Sequence, residues 1–406
     1  MKSPPAFVLC CSKAGLAVAR SLGAAGVSVI GVWYGRSQLA CKSRFVASCQ
    51  RSPDPEEDEA AFLDFLISRS NDWGGGVLFP TDDASLLAVS RHKTRLTDHY
   101  RVIAEDWDVV RPLLEKVHTT EIAMHCGVPC PRIQPITSVA QALDFAREIG
   151  FPCIVKPSVG HTFFNRYRVK MVFAHSADEL AGWLERFEDY PEQLMLCEFI
   201  PGDDTCGANY NSFYVHAEPR QEFTAAKVRL KPTRIGFPTA VVSRHIPEVI
   251  AHGRRLLQFI GYHGFSCAEF KRDERDGTFK LMEINARHNF SGSLAFRCGI
   301  NFPYLSYLDA VGETLPSAAV EQTDGIYWID EERDLKGLVG SLTGGARGAR
   351  AYLRPYLNQS VFAVFSMRDI RPSFQQAGET LRAMGKRGGD AGRPGVGALS
   401  NRESKS

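Results

Sequence analysis

The chain has little net charge and no long apolar run. Its 406 residues contain 48 lysines and arginines against 46 aspartates and glutamates, a formal net charge of +2. Such a balance supplies no global field that attracts nucleic acid or an anionic membrane. No uninterrupted apolar run approaches the ~20 residues that a bilayer-spanning helix needs. We therefore expect no nucleic-acid partner, no membrane partner, and a soluble cytoplasmic protein.

Disulfide and zinc signatures are also missing. The eleven cysteines are an odd number in a long chain, and no apolar signal-like stretch follows basic residues at its start. We therefore expect reduced cytosolic thiols. The closest cysteines, Cys10 with Cys11 and Cys126 with Cys130, lack the Cys-x-x-Cys repeats or histidine partners of a zinc site. The sequence predicts no structural zinc.

Residues 1–112 predict a small parallel-sheet domain of the Rossmann type. Its βαβ units consist of strands at 6–11, 27–32 and 77–80 and helices at 16–25, at 60–70 and from 84 onward. The first turn has one glycine and does not match G-x-G-x-x-G, so we interpret this domain as scaffold and not as a dinucleotide site. Pro112 then introduces a helical stretch and suggests a domain boundary.

Residues 113–320 predict a second domain of mixed α+β type, with a lid subdomain at about 130–197. Its predicted elements are helices at 113–125, 138–149 and 177–187 and strands at 151–155 and 194–200. Beyond it, residues 321–375 form an extension that we expect to pack on the core. Residues 376–406 are rich in Gly, Arg and Ser, and predict a disordered tail.

The segments 265–271 and 279–285 predict a β-hairpin across a polar turn. If the turn is centred on Asp276, Glu269 lies opposite Glu283, and the two-residue period places Asn285 on the same face. The opposite face is then apolar and contains Ala268, Phe270, Met282 and Ile284. A shift by one residue would bury Glu283 in the core, so one register satisfies both faces.

Two opposed glutamates repel each other, and a divalent cation compensates for this repulsion. Mg²⁺ prefers hard oxygen ligands, often one or two carboxylates with water and phosphate oxygens. We therefore predict that Glu269, Glu283 and Asn285 bind Mg²⁺, for which Mn²⁺ could substitute. The alternative is a solvated polar face beside Lys271.

Three further segments could face an anionic ligand. Lys156 ends an apolar strand and is followed by a loop with the flexible Gly160, so ammonium and loop amides could bind phosphate. The segment from Glu198 to Asp204 could present backbone groups to an adenine edge and a carboxylate to ribose. In the run 227–232, Lys227, Arg229 and Lys231 alternate with other residues, so that three cations share one strand face and could bind a triphosphate or a carboxylate. For each segment the alternative is ordinary: a solvated lysine, a strand exit or an exposed edge strand.

The order of these motifs resembles the ATP-grasp superfamily over roughly residues 5–312. The matching pieces are, in order, Lys116, Ile154–Pro157, Glu198–Gly202, Glu269 and Met282–Arg287. The sharpest part, Glu-Ile-Asn-Ala-Arg followed by Cys298–Pro303, resembles the carboxylate–amine ligases related to D-aspartate ligase.

The resemblance implies a role for each candidate residue. Lys116 and Lys156 would contact ATP phosphates, with Gly160 in the loop above them. The hinge of Glu198, Phe199 and Ile200 would hold adenine, and Asp204 ribose. Glu269, Glu283 and Asn285 would bind Mg²⁺, whereas Arg287 and Lys231 would steady the transferring γ-phosphoryl group and an acyl phosphate.

The resulting hypothesis is an ATP-dependent ligase that joins a small carboxylate to an amine, with amino-acid or peptide-like substrates, and that could act as a homodimer. One alternative is a kinase on the same fold that transfers phosphate to a small molecule. Another is a regulatory protein that binds ATP without turnover. A NAD-dependent dehydrogenase ranks last, because the glycine fingerprint is missing.

Overall fold

A computed structural model describes most of the chain: residues 3–35, 38–158, 163, 166–167, 169, 171–190, 193–234, 236–342 and 345–389. The N-terminal sheet is parallel, in the order β3-β2-β1-β4-β5. Its strands are β1 (Ala6–Leu9), β2 (Val29–Trp33), β3 (Val46–Arg51), β4 (Val77–Pro80) and β5 (Arg101–Val102). Its helices are α1 (Lys13–Ala24), α2 (Glu59–Trp73), α3 (Asp83–Arg91) and α4 (Lys93–Thr97).

Local sequence explains most of these elements. The apolar run of β1 is completely buried, as expected for a parallel strand covered on both faces. Helix α2 begins after Asp58, whose carboxylate accepts from the Ala61 N–H, and ends at the left-handed Gly74. Strand β3 was not predicted, because its residues are polar and partly exposed at this sheet edge.

Two short helices connect the N-terminal sheet to the rest of the molecule, α5 (Trp107–Leu114) and α6 (Lys116–His125). The sequence predicts a single helix here, introduced by Pro112. Instead Pro112 lies inside α5, so the boundary predicted at 112 falls within a helix, and the extended backbone of Glu115 separates the two helices. The break places Lys116 in the first turn of α6.

The second sheet is antiparallel, in the order β6-β9-β7-β8, and occupies the range expected for a lid. Its strands are β6 (Ile133–Pro135), β7 (Cys153–Pro157), β8 (Val172–Ala174) and β9 (Leu194–Glu198), and its helices are α7 (Val139–Ile149) and α8 (Ala177–Arg186). Cys153, Val155 and Leu196 pack in a core with both helices. Strand alternation therefore turns Lys156 and Cys197 to the opposite face.

The third sheet has seven strands in the order β14-β13-β10-β11-β12-β15-β16. Its strands are β10 (Gly207–Val215), β11 (Glu218–Lys231), β12 (Phe237–Ser243), β13 (Gly264–Arg272), β14 (Phe279–Asn285), β15 (Tyr327–Ile329) and β16 (Ser360–Phe362). Helix α9 (Pro247–Ile260) covers the face that contains Tyr210 and Phe270. Gly253 permits this contact, because a Cβ there would lie 2.2 Å from the Tyr210 ring. The other face is polar near β13 and β14.

The remaining helices are α10 (Gly292–Arg297), α11 (Phe302–Val311), α12 (Glu331–Leu342), α13 (Gly345–Leu357) and α14 (Arg371–Gly389). Residues 321–375 contribute β15 and β16 to the large sheet, and Trp328 is fully buried there. The Lys13 ammonium lies 2.7 Å from the buried Asp330 carboxylate, which joins this region to α1. The predicted disordered tail begins at 376, but α14 continues to Gly389; residues 390–406 lie outside the described part. Within the described residues, no helix is long and apolar enough to cross a membrane.

Candidate active site

The acidic hairpin is formed by β13 and β14. Glu269 pairs directly with Glu283, and Asn285 pairs with Cys267 on the same face, as the sequence predicts. A bulge follows Glu269, so that Phe270 pairs with Leu281 instead of Met282. The placement of Met282 in the apolar face was therefore wrong: Leu281 is buried there, and Met282 is 38% exposed.

Lysines neutralise both glutamates. Lys227 on β11 donates to the Glu269 carboxylate, and the Lys116 ammonium lies 3.4 Å from the Glu283 carboxylate. The Asn285 amide donates to Glu283 at 3.1 Å. Partial burial disfavours ionisation of Glu283, but Lys116, Asn285 and Lys227 outweigh it and lower the pKa of Glu283 to about 2. The carboxylate is therefore ionised at neutral pH.

Sequence reasoning did not single out two residues on this face. Lys227 was grouped with Arg229 and Lys231 as one row of cations, but register shifts in β11 separate their partners. Burial opposes the charge of Lys227, yet Glu269 outweighs it and raises the pKa of Lys227. Asn209, paired with Glu269 across β10 and β13, also belongs to this face, and the two-residue alternation of β10 was the signal that could have revealed it.

The donor set fits a hard divalent cation. Two carboxylates and an amide oxygen lie on adjacent positions of two paired strands, which is the ligand chemistry that Mg²⁺ prefers. In addition, the side-chain oxygen of Asn209 is buried without a hydrogen-bond partner beside Glu269. A buried acceptor without a partner is costly, so a metal-bound water here would satisfy it.

Lys156 faces this acidic hairpin from the second sheet. Its ammonium is close enough to Cys197, Lys116 and Glu283 for each to influence its titration. Burial is the largest effect and lowers the pKa of Lys156. Three lysines, at 116, 156 and 227, thus surround the two glutamates. The predicted phosphate-loop residue Gly160 lies outside the described residues.

The segment after β9 has free backbone donors. Within the described residues, the peptide N–H groups of Phe199 and Ile200 make no hydrogen bond, and Phe199 lies under the Lys271 ammonium, 5.4 Å from the ring centre. Glu198 differs from them, because its side chain points away from Lys156 and pairs with Arg275 at 2.5 Å and Lys280 at 3.5 Å. The Glu198 N–H donates to the Arg132 carbonyl at 2.8 Å, so only the backbone carbonyl of Glu198 is left for a ligand on the Lys156 face.

The Asp204 carboxylate is hydrogen-bonded to the backbone of β11 and the turn after it. One carboxylate oxygen accepts from the Leu230 N–H at 2.8 Å, and the other from the Arg234 N–H at 2.6 Å. The side chain thus stabilises the end of β11 and the turn that follows it. Each oxygen keeps a second lone pair, so the predicted contact with ribose stays a prediction.

The two predicted catalytic cations lie in different surroundings. Arg287 donates to both carboxylate oxygens of Asp83, at 2.6 and 3.0 Å, and so joins the large sheet to α3. Burial disfavours the charged form, but Asp83 outweighs it and raises the pKa of Arg287. Lys231 is exposed at the end of β11, and its ammonium would lie 3.7 Å from a Cβ on Gly337. The structure records no contact between Lys231 and the glutamates.

Comparison with solved structures identifies the fold. N5-carboxyaminoimidazole synthetase from Staphylococcus aureus superposes with a TM-score of 0.62 at 14% identity, over 79% of this chain and 81% of that one. L-amino acid ligase from Bacillus licheniformis gives a TM-score of 0.59 at 15% identity, over 77% and 75% of the two chains. The chain therefore has the ATP-grasp fold, as predicted.

Sequence comparison indicates which class of ATP-grasp protein the chain resembles. The chain is 24% identical to D-aspartate ligase from Enterococcus faecium over 268 residues, which is 63% of each protein. It is 29% identical to D-alanine–D-alanine ligase from Francisella tularensis over 177 residues, 43% of this chain and 56% of that enzyme. The aligned region thus spans less than two thirds of these relatives, and no family model matches. The chain is thus similar in sequence to these two ligases, as its motifs predict.

Proposed function

We propose that this protein is an ATP-dependent ligase that joins a carboxylate to an amine through an acyl phosphate. The observation that supports this most strongly is the paired Glu269 and Glu283 surrounded by Lys116, Lys156 and Lys227. A metal–triphosphate is dianionic or more negative overall, with separate sites of positive and negative charge. A face that alternates carboxylates with ammonium groups is complementary to it.

Each candidate residue has a role in this proposal. Glu269, Glu283 and Asn285 hold Mg²⁺, which when bound neutralises phosphate charge and polarises the phosphoryl group. Lys116 and Lys156 bind phosphate oxygens, and Gly160 belongs to the loop that covers them. The N–H groups of Phe199 and Ile200 bind the adenine edge together with the Glu198 carbonyl. The ribose contact of Asp204 stays a prediction, because its carboxylate also accepts from the Leu230 and Arg234 N–H groups.

The reaction has two steps, and atoms balance in each. An oxygen of the substrate carboxylate attacks the γ-phosphorus of ATP, the bond to the β-phosphate oxygen breaks, and ADP leaves with an acyl phosphate remaining. The amine then attacks the acyl carbon, phosphate departs, and the amine proton passes to solvent or phosphate. Lys156, Arg287 and Lys231 offset the negative charge that builds up when two anions meet.

The substrates are proposed to be amino acids or short peptides. The names of the relatives support this class, since D-aspartate, D-alanine and L-amino acids each supply a carboxylate or an amine. A bound MgADP in the biotin carboxylase domain of Hydrogenobacter thermophilus, with a TM-score of 0.63 and 14% identity, is compatible with ATP and Mg²⁺ as the nucleotide and metal. The cytoplasmic location and the homodimer stay predictions.

A substrate screen tests the proposal. Purified protein with Mg²⁺ and ATP is incubated with pairs of D- and L-amino acids and dipeptides, while ADP release and new amide products are measured. We expect ADP, phosphate and amide to appear in equal amounts for a productive pair. A stable phosphorylated product without amide would instead identify a kinase. ATP binding without turnover across the screen would favour a regulatory protein.

A further inference from the structure

Three cysteine thiols meet in the N-terminal sheet, away from the acidic hairpin. Cys11 follows β1, Cys41 lies in the short 3₁₀ turn Ala40–Lys42, and Cys49 is in β3. Their sulfur atoms all lie within 4.8 Å of one another. Cys11 is buried and the other two are partly exposed; all three are free thiols. The cysteines are 30 and 8 residues apart along the sequence, so no Cys-x-x-Cys pattern indicates this cluster.

The backbone fixes these three thiols in place. The Ala40 N–H donates to the Cys11 carbonyl at 3.1 Å, which holds the turn against the end of β1. Cys49 pairs with Gly31 between β3 and β2. A Cβ on Gly31 would lie 2.8 Å from the Cys49 sulfur and 2.9 Å from the Cys11 sulfur, so both sulfur atoms would have to shift. Glycine at position 31 therefore makes the convergence of the thiols possible.

The spacing of the sulfur atoms suits a metal ion. Thiolates bound to tetrahedral zinc at ~2.3 Å lie about 3.8 Å apart, so closing this cluster on zinc requires shifts of about 1 Å or less. Thiolates are soft ligands that select zinc over the hard cations Mg²⁺ and Ca²⁺.

We propose that Cys11, Cys41 and Cys49 form a zinc site with three thiolate ligands and a water molecule as the fourth. The water would enter from the side on which Cys41 and Cys49 are partly exposed. Binding breaks S–H bonds and forms Zn–S bonds, the released protons pass to solvent, and no atom changes oxidation state. The zinc would fasten β1, the 3₁₀ turn and β3 together. This inference is independent of the ligase reaction.

Zinc titration tests this site in the full chain. Reduced protein competes with a chromophoric chelator for Zn²⁺ in excess Mg²⁺, which occupies the glutamates of the acidic hairpin. We expect one tight site, and at least about 100-fold weaker binding in Cys49→Ser, since even outer-shell changes cost 10- to 100-fold. Cys126→Ser is the matched thiol control. Cys206→Ser tests the other cluster able to hold a metal in the described residues, Asp203 with Cys206 and Glu274.

A second readout does not depend on any variant folding. Co²⁺ bound to the native protein should give intense thiolate-to-cobalt charge-transfer absorption, whereas a bound Co²⁺ without this absorption would contradict thiolate ligands. Equal zinc affinity in wild type and Cys49→Ser would overturn the proposal. So would binding of Cu⁺ without Zn²⁺, or a native disulfide among these cysteines, seen as the loss of two hydrogens by mass spectrometry.

Discussion

Replacement of Glu283 by glutamine should strengthen the binding of metal-free ATP and reduce turnover with Mg²⁺. The change keeps the size of the side chain and removes its charge. In the structure this carboxylate holds the Lys116 ammonium at 3.4 Å and accepts from Asn285 at 3.1 Å. Without metal, the variant loses a negative group near the triphosphate and frees Lys116. With Mg²⁺, it loses a metal ligand.

The magnitudes decide which effect dominates. A unit ion pair at 3.4 Å is worth about 5 kcal/mol at an effective dielectric constant of ~20. Both side chains are 42% exposed, so solvent screening reduces the pair to about 1 kcal/mol. Metal-free ATP should therefore bind about 5-fold more tightly to Glu283→Gln. Loss of a preorganised group that stabilises the transition state costs roughly 3–4 kcal/mol, so Mg²⁺-dependent turnover should fall by about 10²–10³-fold.

Two assays measure these effects. Calorimetry in EDTA gives the metal-free affinity for ATP, and coupled ADP release gives kcat/KM with Mg²⁺. Glu59→Gln is the control, because it also removes a partly exposed glutamate that pairs with an arginine, Arg91 at 3.0 Å, but lies in α2 away from the site. Turnover in Glu283→Gln equal to that of wild type and of this control would refute the metal assignment.

Three more substitutions test individual residues. Because burial lowers the pKa of Lys156, its cation is lost at a lower pH than that of an ordinary lysine. Affinity for an ATP analogue should therefore weaken at alkaline pH, and Lys156→Arg should abolish this weakening. Asn209→Ala should reduce kcat/KM about 10-fold with little change in Tm, because its buried oxygen has no partner to lose; a large fall in Tm with unchanged kinetics would contradict that role. Asp204→Asn should lower the free energy of unfolding in urea by about 1–2 kcal/mol and leave the KM for ATP within about 2-fold. A selective rise in that KM would instead support the contact with ribose.

The sequence predicted the parts of the site that depend on strand alternation. Glu269, Glu283 and Asn285 share a face because the hairpin period is two, and this is readable from spacing alone. The bulge that exposes Met282 was not predictable, since it depends on how Leu281 donates to the Pro129 carbonyl from a distant loop. Local patterns contain no information about that contact.

Groups that meet across the chain were the main omissions. Lys227 reaches Glu269 and Arg229 reaches Asp334, so neighbouring cations of one strand have unrelated partners. The cysteine cluster likewise requires three elements of the N-terminal sheet, including the edge strand β3, which has a weak strand pattern. Such convergence is a property of topology, which spacing along the sequence does not encode.

The transfer of an oxygen atom tests the central claim most directly. A productive carboxylate substrate labelled with ¹⁸O is incubated with the protein, ATP, Mg²⁺ and the amine, and the released phosphate is analysed by mass spectrometry. The proposed acyl phosphate requires one ¹⁸O in each phosphate released, because a carboxylate oxygen bonds to the γ-phosphorus and departs with it. Phosphate without label, formed together with the amide, would contradict the account.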